Sequence, residues 1–207
     1  MPVLEIIAVL VSILGVWLTA QRRMLCWPAN LLGCILYFKL FLDARLYADM
    51  VLQVLFGASI LYGWVAWARS KTQTGKTRSG VGESKTVEVR PLPLVHALGW
   101  LVAGALGGLV IGWFTSHYTD AALPWMDAML SSFSLVAQVW TARRQAANWL
   151  LWIAVDVIYV GMFLYKDLWP TAGLYAAMVV LAAIGYRRWR ADHARSTHMH
   201  HDQQGNA

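Results

Sequence analysis

Residues 149 to 165 read Trp149-Leu-Leu-Trp152-Ile-Ala-Val-Asp156-Val-Ile-Tyr159-Val-Gly-Met-Phe163-Leu-Tyr165, an apolar run with one carboxylate in its middle. Trp149, Trp152, Asp156, Tyr159 and Phe163 recur at spacings of three, four, three and four. That period places all five on one face of a helix. A lone acid inside a membrane-length apolar helix is expensive, which marks it as a functional residue. Rings above and below it suit a flat, cationic ligand.

The whole chain shares the character of this stretch. Of its 207 residues 58% are hydrophobic and 14% are charged, with a mean hydropathy of +0.49. Soluble domains run at roughly 25% charged, so the composition describes an all-α integral membrane protein of one domain. The net charge of +6 does not point to nucleic acid, because the basic residues lie in gaps between apolar runs. Cys26 and Cys34 both fall at or inside an apolar segment and read as small buried residues, not as a disulfide framework. No basic region precedes the first apolar run, so no cleavable secretory signal is expected.

Apolar segments lie near 3–20, 27–42, 46–68, 94–115, 126–142, 149–165 and 170–188. Seven transmembrane helices are expected, since about 17–25 residues cross a bilayer. With the N-terminus outside, 14 of the 17 Lys and Arg residues fall on the inner side. They are Arg22, Arg23, Arg69, Lys71, Lys76, Arg78, Lys85, Arg90, Arg143, Arg144, Arg187, Arg188, Arg190 and Arg195. Lys39, Arg45 and Lys166 are the exceptions. Positive charge stays cytoplasmic, which sets the N-terminus out and the C-terminus in. Residues 1–190 form the expected transmembrane domain. The stretch 69–93 reads as a flexible cytoplasmic loop, and 191–207 as a disordered cytoplasmic tail. Within that tail His198, His200 and His201 have no carboxylate or cysteine cluster beside them, so no metal site is expected.

The chain also matches itself at an offset of 122 residues. Thr19 meets Thr141, Arg22 meets Arg144, Trp27 meets Trp149, Tyr37 meets Tyr159, Phe41 meets Phe163, Leu46 meets Leu168, Gly63 meets Gly185 and Trp67 meets Trp189. Segments one to three (3–68) and five to seven (126–188) are therefore repeats, and the fourth (94–115) is a connector. Three helices reverse the chain across a bilayer and one more restores its direction. The expected architecture is a 3+1+3 parallel repeat about an axis along the membrane normal, an arrangement in which carriers hold substrate near the midplane between the repeats. Asp156 has Cys34 as its repeat partner.

Trp27, Asn30, Cys34, Tyr37 and Phe41 share one face of the second segment. Facing the stripe of the sixth, they would enclose a ring-lined cavity. A cationic ring gains about 0.5–2 kcal/mol over such aromatics, and Asp156 supplies the counter-charge. Asn30 and Gln53 offer donors and acceptors for hydroxyls or a carboxamide. The candidate substrate-binding residues are Asp156, Trp152, Trp149, Gln53, Tyr159, Asn30, Tyr37 and Trp27. Trp27 and Trp149 also fit an interfacial aromatic belt. Glu5, Asp49 and Asp127 sit near segment ends and are expected to face water or cap a helix. Pro28 and Pro170 fall in first turns, where proline costs little. No metalloprotease, nucleophile-elbow or phosphate-loop motif is present. An intramembrane enzyme pairing Asp156 with Ser131, Ser132 or Ser134 is one rival reading, and a non-transporting scaffold is another. Apolar surface also suits a homo-oligomer as well as it suits lipid.

Leu46-Tyr-Ala-Asp-Met-Val-Leu-Gln53-Val-Leu-Phe56, followed by Tyr62-Gly63-Trp64-Val-Ala-Trp67, resembles the third helix of the PnuC vitamin transporters. Asn148-Trp149-Leu-Leu-Trp152 with a polar residue at 156 resembles the sixth. The likeness covers roughly residues 3 to 190. It implies facilitated diffusion of nicotinamide riboside through a bacterial inner membrane, with no cofactor, no ATP hydrolysis and no enzymatic activity. Net uptake would follow from phosphorylation by a cytoplasmic vitamin kinase that supplies NAD biosynthesis. Thiamine and riboflavin are the substrates of related members. The positions that carry over are Gln53, Trp149, Trp152 and 156. Asparagine is common at the last of these in the nicotinamide riboside carriers. Aspartate here departs from that pattern and favours a cation, nicotinamide riboside or thiamine, over neutral riboflavin. Gln53 resembles the nicotinamide riboside group.

Overall fold

A computed structural model describes residues 2–43, 47–77, 89–118, 123–165 and 169–205. Those residues form seven helices: α1 (Pro2–Ala20), α2 (Cys26–Asp43), α3 (Tyr47–Thr77), α4 (Leu94–Tyr118), α5 (Pro124–Ala142), α6 (Asn148–Tyr165) and α7 (Trp169–Gly205). Three of them, α1 over Val3–Ala20, α4 and α6, are long and apolar enough to cross a membrane by length and composition. Most of their outward side chains are hydrocarbon. Leu94 and Val95 on α4 are 74% and 79% exposed, which suits acyl chains and not water.

Two helices overrun the apolar segments that announced them. α3 continues to Thr77, so residues 69–77 extend a helix instead of opening the 69–93 loop. α7 continues to Gly205, so the backbone from 191 is helical where a disordered tail was expected. Neither overrun contains proline, α7 has no glycine from Tyr186 to Gln204, and the one glycine in the α3 overrun, Gly75, lies in its last turn, so little local stops propagation once the apolar turns have nucleated it. Loop residues 78–88 and Arg45, Leu46, Lys166 and Leu168 lie outside the described residues, as do the side chains of Asp49, Lys71, Lys76, Pro170, Arg195, His198, His200 and His201.

The α1–α2 and α5–α6 turns are built alike. Arg22 and Arg144 take left-handed φ angles of 56° and 65°. The amides that follow reach back five residues, Arg23 N–H to Leu18 O at 3.1 Å and Gln145 N–H to Trp140 O at 2.9 Å. This is the helix stop usually made by glycine. A side chain in that conformation costs roughly 1–2 kcal/mol, and the chain accepts that cost twice, at positions 122 apart.

The helices close into a ring. α1, α2 and α3 pack in sequence, as do α5, α6 and α7, while α3 meets α5 and α1 meets α7. α4 leans on α5 alone among the described helices. Its buried Gly104, Gly108 and Gly112 face Phe133, Met129 and Trp125, the small-residue spacing that lets membrane helices approach closely.

Trp27, Trp67, Trp149 and Trp189 hold the ring together, each at most 2% exposed. Trp27 meets Trp67 edge-on at 5.2 Å, and Trp149 meets Trp189 edge-on at 5.6 Å. Trp67 and Trp189 touch at 6.1 Å. Trp67 Nε1 donates to Thr141 O and Ala142 O, at 3.2 and 3.1 Å. Trp189 Nε1 donates to Thr19 O at 3.3 Å. Each indole thus bonds the other half of the molecule. The rings of Trp27 and Trp149 lie flush against Gly63 and Gly185, where a Cβ would strike the indole.

The notch at Gly185 is therefore a packing requirement. A Cβ there would sit 2.6 Å from Trp149 Cε2, whereas one at Gly161 meets nothing within 4 Å. Gly185→Ala is expected to cost about 1–3 kcal/mol and to lower the melting temperature in detergent by about 2–10 °C. Gly161→Ala in the same assay should show no loss.

Candidate substrate-binding site

A cavity of about 270 Å³ opens where α1, α2, α3, α5, α6 and α7 converge. That is close to the lower end of small-molecule sites, roughly 300 Å³. Its walls follow the internal repeat. Val16 and Gln138, Thr19 and Thr141, Asn30 and Trp152, Cys34 and Asp156, Gln53 and Tyr175, Phe56 and Met178, and Ile60 and Ala182 all line it, each pair 122 residues apart. Only the threonines are identical; Phe56 and Met178, and Ile60 and Ala182, are apolar on both sides, and the other four pairs differ in chemistry. The walls are matched in position and different in character.

The first half supplies amides. Thr19 Oγ1 donates to Gly15 O at 2.8 Å and accepts from Asn30 Nδ2 at 3.3 Å. Asn30 Oδ1 occupies the place a Cβ of residue 15 would need, so glycine at 15 lets this amide sit against α1. Gln53 enters from α3 and Tyr37 from α2. The second half supplies rings and charge. Trp152 and Asp156 come from successive turns of α6, and Tyr175 from α7. Tyr175 stacks on Tyr159 at 4.7 Å and on Phe163 at 5.2 Å, which fixes its plane. Asp156 is 6% exposed and has no hydrogen-bond or ion-pair partner among the described residues. Among the described residues, no Lys, Arg or His lines the cavity. A carboxylate so placed costs roughly 2.5 kcal/mol or more, a cost that a cation beside it would offset.

Six of the eight sequence candidates meet at this cavity: Asp156, Trp152, Trp149, Gln53, Asn30 and Tyr37. Trp149 contributes from the edge, largely covered, with its Nε1 unpartnered. Trp27 and Tyr159 are not on the wall. Trp27 lies 1% exposed against Gly63 and Trp67, so its face of α2 is spent on α3. Tyr159 lies one turn beyond Asp156 and backs Tyr175 instead of reaching the cavity. Sequence reading overlooked Ser12, Val16 and Thr19 on α1, Gln138 and Thr141 on α5, and Tyr175 on α7. The signal for two of them was present. The offset of 122 carries Gln53 to Tyr175, and Gln138 is a lone amide in an apolar stretch.

A family model described as nicotinamide mononucleotide transporter matches residues 2–191. The chain belongs to that family. Membership and the apolar helices together make it a multi-pass membrane protein of the PnuC group. The nicotinamide riboside transporter PnuC of Escherichia coli (strain K12) is 25% identical over 213 residues, covering 90% of this chain and 84% of that one. The protein of the same name from Neisseria mucosa is 25% identical over 192 residues, covering 88% and 70%. Among solved structures, the crystal structure of the vitamin B3 transporter PnuC superposes with a TM-score of 0.72 at 23% identity, over 93% of this chain and 82% of that one. That likeness establishes a shared fold.

An unpaired buried carboxylate is retained at the expense of stability. Asp156→Asn keeps the shape and removes the charge. It is expected to raise the melting temperature of the ligand-free protein by about 2–4 °C, the shift that corresponds to roughly 1 kcal/mol in a chain of this size. Unchanged or lowered stability would show that Asp156 is compensated in the empty protein.

Proposed function

We propose that this protein carries nicotinamide riboside across the bacterial inner membrane by facilitated diffusion and so supplies NAD biosynthesis. The observation that carries the reading is Asp156, buried and unpaired in a cavity with Trp152 and Tyr175 on its own side and the amides of Asn30 and Gln53 opposite. A pyridinium riboside divides in the same way. Its flat cation matches the aromatic and acidic wall, and its hydroxyls match the amides. Relatives named nicotinamide riboside transporter support the same substrate.

The carrier reading is of a 3+1+3 membrane protein, N-terminus out and C-terminus in, surrounded by lipid. The inward bias of basic residues and the matched environments of residues 122 apart support it. Rocking of α1–α3 against α5–α7 exposes the cavity to each side in turn. Neither ATP nor a resident cofactor is needed, and no catalytic step is assigned. Accumulation follows from a cytoplasmic kinase that phosphorylates the vitamin. The product then meets a cavity holding an acid and no base, which disfavours its return.

Titration of the purified protein with nicotinamide riboside and thiamine in parallel tests the substrate. Nicotinamide riboside is expected to bind, and Asp156→Asn to weaken it about tenfold, the equivalent of 1.4 kcal/mol. Tighter binding of thiamine would move the reading to the thiamine carriers, and binding of neither would remove it. Uptake into liposomes should proceed without ATP or an ion gradient. A reporter fused at the C-terminus should be active on the cytoplasmic side, and activity outside would invert the topology.

A further inference from the structure

Gln138 stands on α5 in the run Leu135-Val-Ala-Gln138-Val-Trp140. It is 9% exposed, yet it lines the cavity. Its amide has no hydrogen-bond partner among the described residues. Its polar atoms are open to the cavity and not sealed against protein. Packing does not demand it, because Val16 fills the repeat-related place on the opposite wall with hydrocarbon. An unpaired amide lining a cavity is free to bond whatever enters it.

The remaining groups of this half limit what it can be fitted to. Trp152 can only donate, and an ionised Asp156 can only accept. Thr141 already donates its hydroxyl to Ala137 O at 3.0 Å. Tyr175 brings a single hydroxyl. On the opposite wall Asn30 is engaged by Thr19. Gln53 is the counterpart amide on the opposite wall, and among the lining side chains of the second half Gln138 presents an N–H donor and a carbonyl acceptor side by side. Their complement is another primary amide, which pairs with it through two hydrogen bonds.

We propose that Gln138 reads a primary carboxamide on the ligand's ring, and thereby separates a carboxamide-bearing pyridinium from the same ring carrying hydrogen or a carboxylate. The inference rests on the carrier reading above and adds a residue that sets specificity within it. A carboxylate in place of the carboxamide would lose one of the two hydrogen bonds and would share a cavity without a base with Asp156.

Three pyridinium ribosides test this: nicotinamide riboside, unsubstituted N-ribosylpyridinium and nicotinic acid riboside. The full-length wild type should bind the carboxamide at least about tenfold more tightly than either analogue, as sites built to hydrogen-bond a group discriminate against its absence. Gln138→Val, the residue of the opposite wall, and Gln138→Met, of similar length, should each weaken nicotinamide riboside about tenfold and leave N-ribosylpyridinium unchanged. Equal wild-type affinity for all three ligands overturns the proposal without recourse to any variant. So does an equal loss for both ligands in the variants, which would mean that Gln138 acts through packing. Failure of the wild type to bind any of the three strikes the carrier reading itself.

Discussion

Everything in this molecule hangs on a contact between rings and missing side chains. Trp27 and Trp149 lie where Gly63 and Gly185 have no Cβ, which brings the second and third helices of each half together, α2 on α3 and α6 on α7. Trp67 and Trp189 then reach across and bond the backbone of the opposite half. In hydrocarbon there is little hydrophobic force between helices, so shape and interhelical hydrogen bonds must do the work of assembly. This cluster supplies both, and it seals one end of the space that the cavity occupies.

The cavity shows how a duplicated frame becomes a specific site. Seven pairs of lining positions correspond across the halves, and four of them differ in chemistry. A symmetric wall would receive a symmetric ligand, or an asymmetric one in two orientations. Here the negative charge lies on one side alone, because the position that matches Asp156 holds Cys34. The amides lie mainly opposite. Orientation is set by substitution on a frame that has no preference of its own.

Much of this was legible in the sequence, and the failures have physical causes. Apolar length located α1, α4 and α6 closely, since lipid contact and helix length coincide there. It misjudged α3 and α7, because apolarity ends at the membrane boundary while a helix ends only where capping or a breaker stops it. Periodicity put Trp27 and Tyr159 on the right faces of their helices. A face does not reveal which neighbour covers it, and both are covered by protein: Trp27 by α3, Tyr159 by Tyr175. Gln138 and Tyr175 escaped notice because the sixth segment drew attention to itself through its acid. The repeat, applied residue by residue to the third segment, pointed to Tyr175 all along.

The crossed indole bonds also have a consequence in time. Trp67 is made early in synthesis, but the carbonyls it bonds belong to residues 141 and 142. Trp189 closes on Thr19 across a separation of 170 residues. The first three helices therefore wait in the membrane with a buried indole unsatisfied until α5 follows them. The ring shuts only when α7 has emerged. Each half is incomplete without the other, so a nascent chain interrupted after α4 leaves the Trp67 N–H without the two carbonyls it bonds in the full fold.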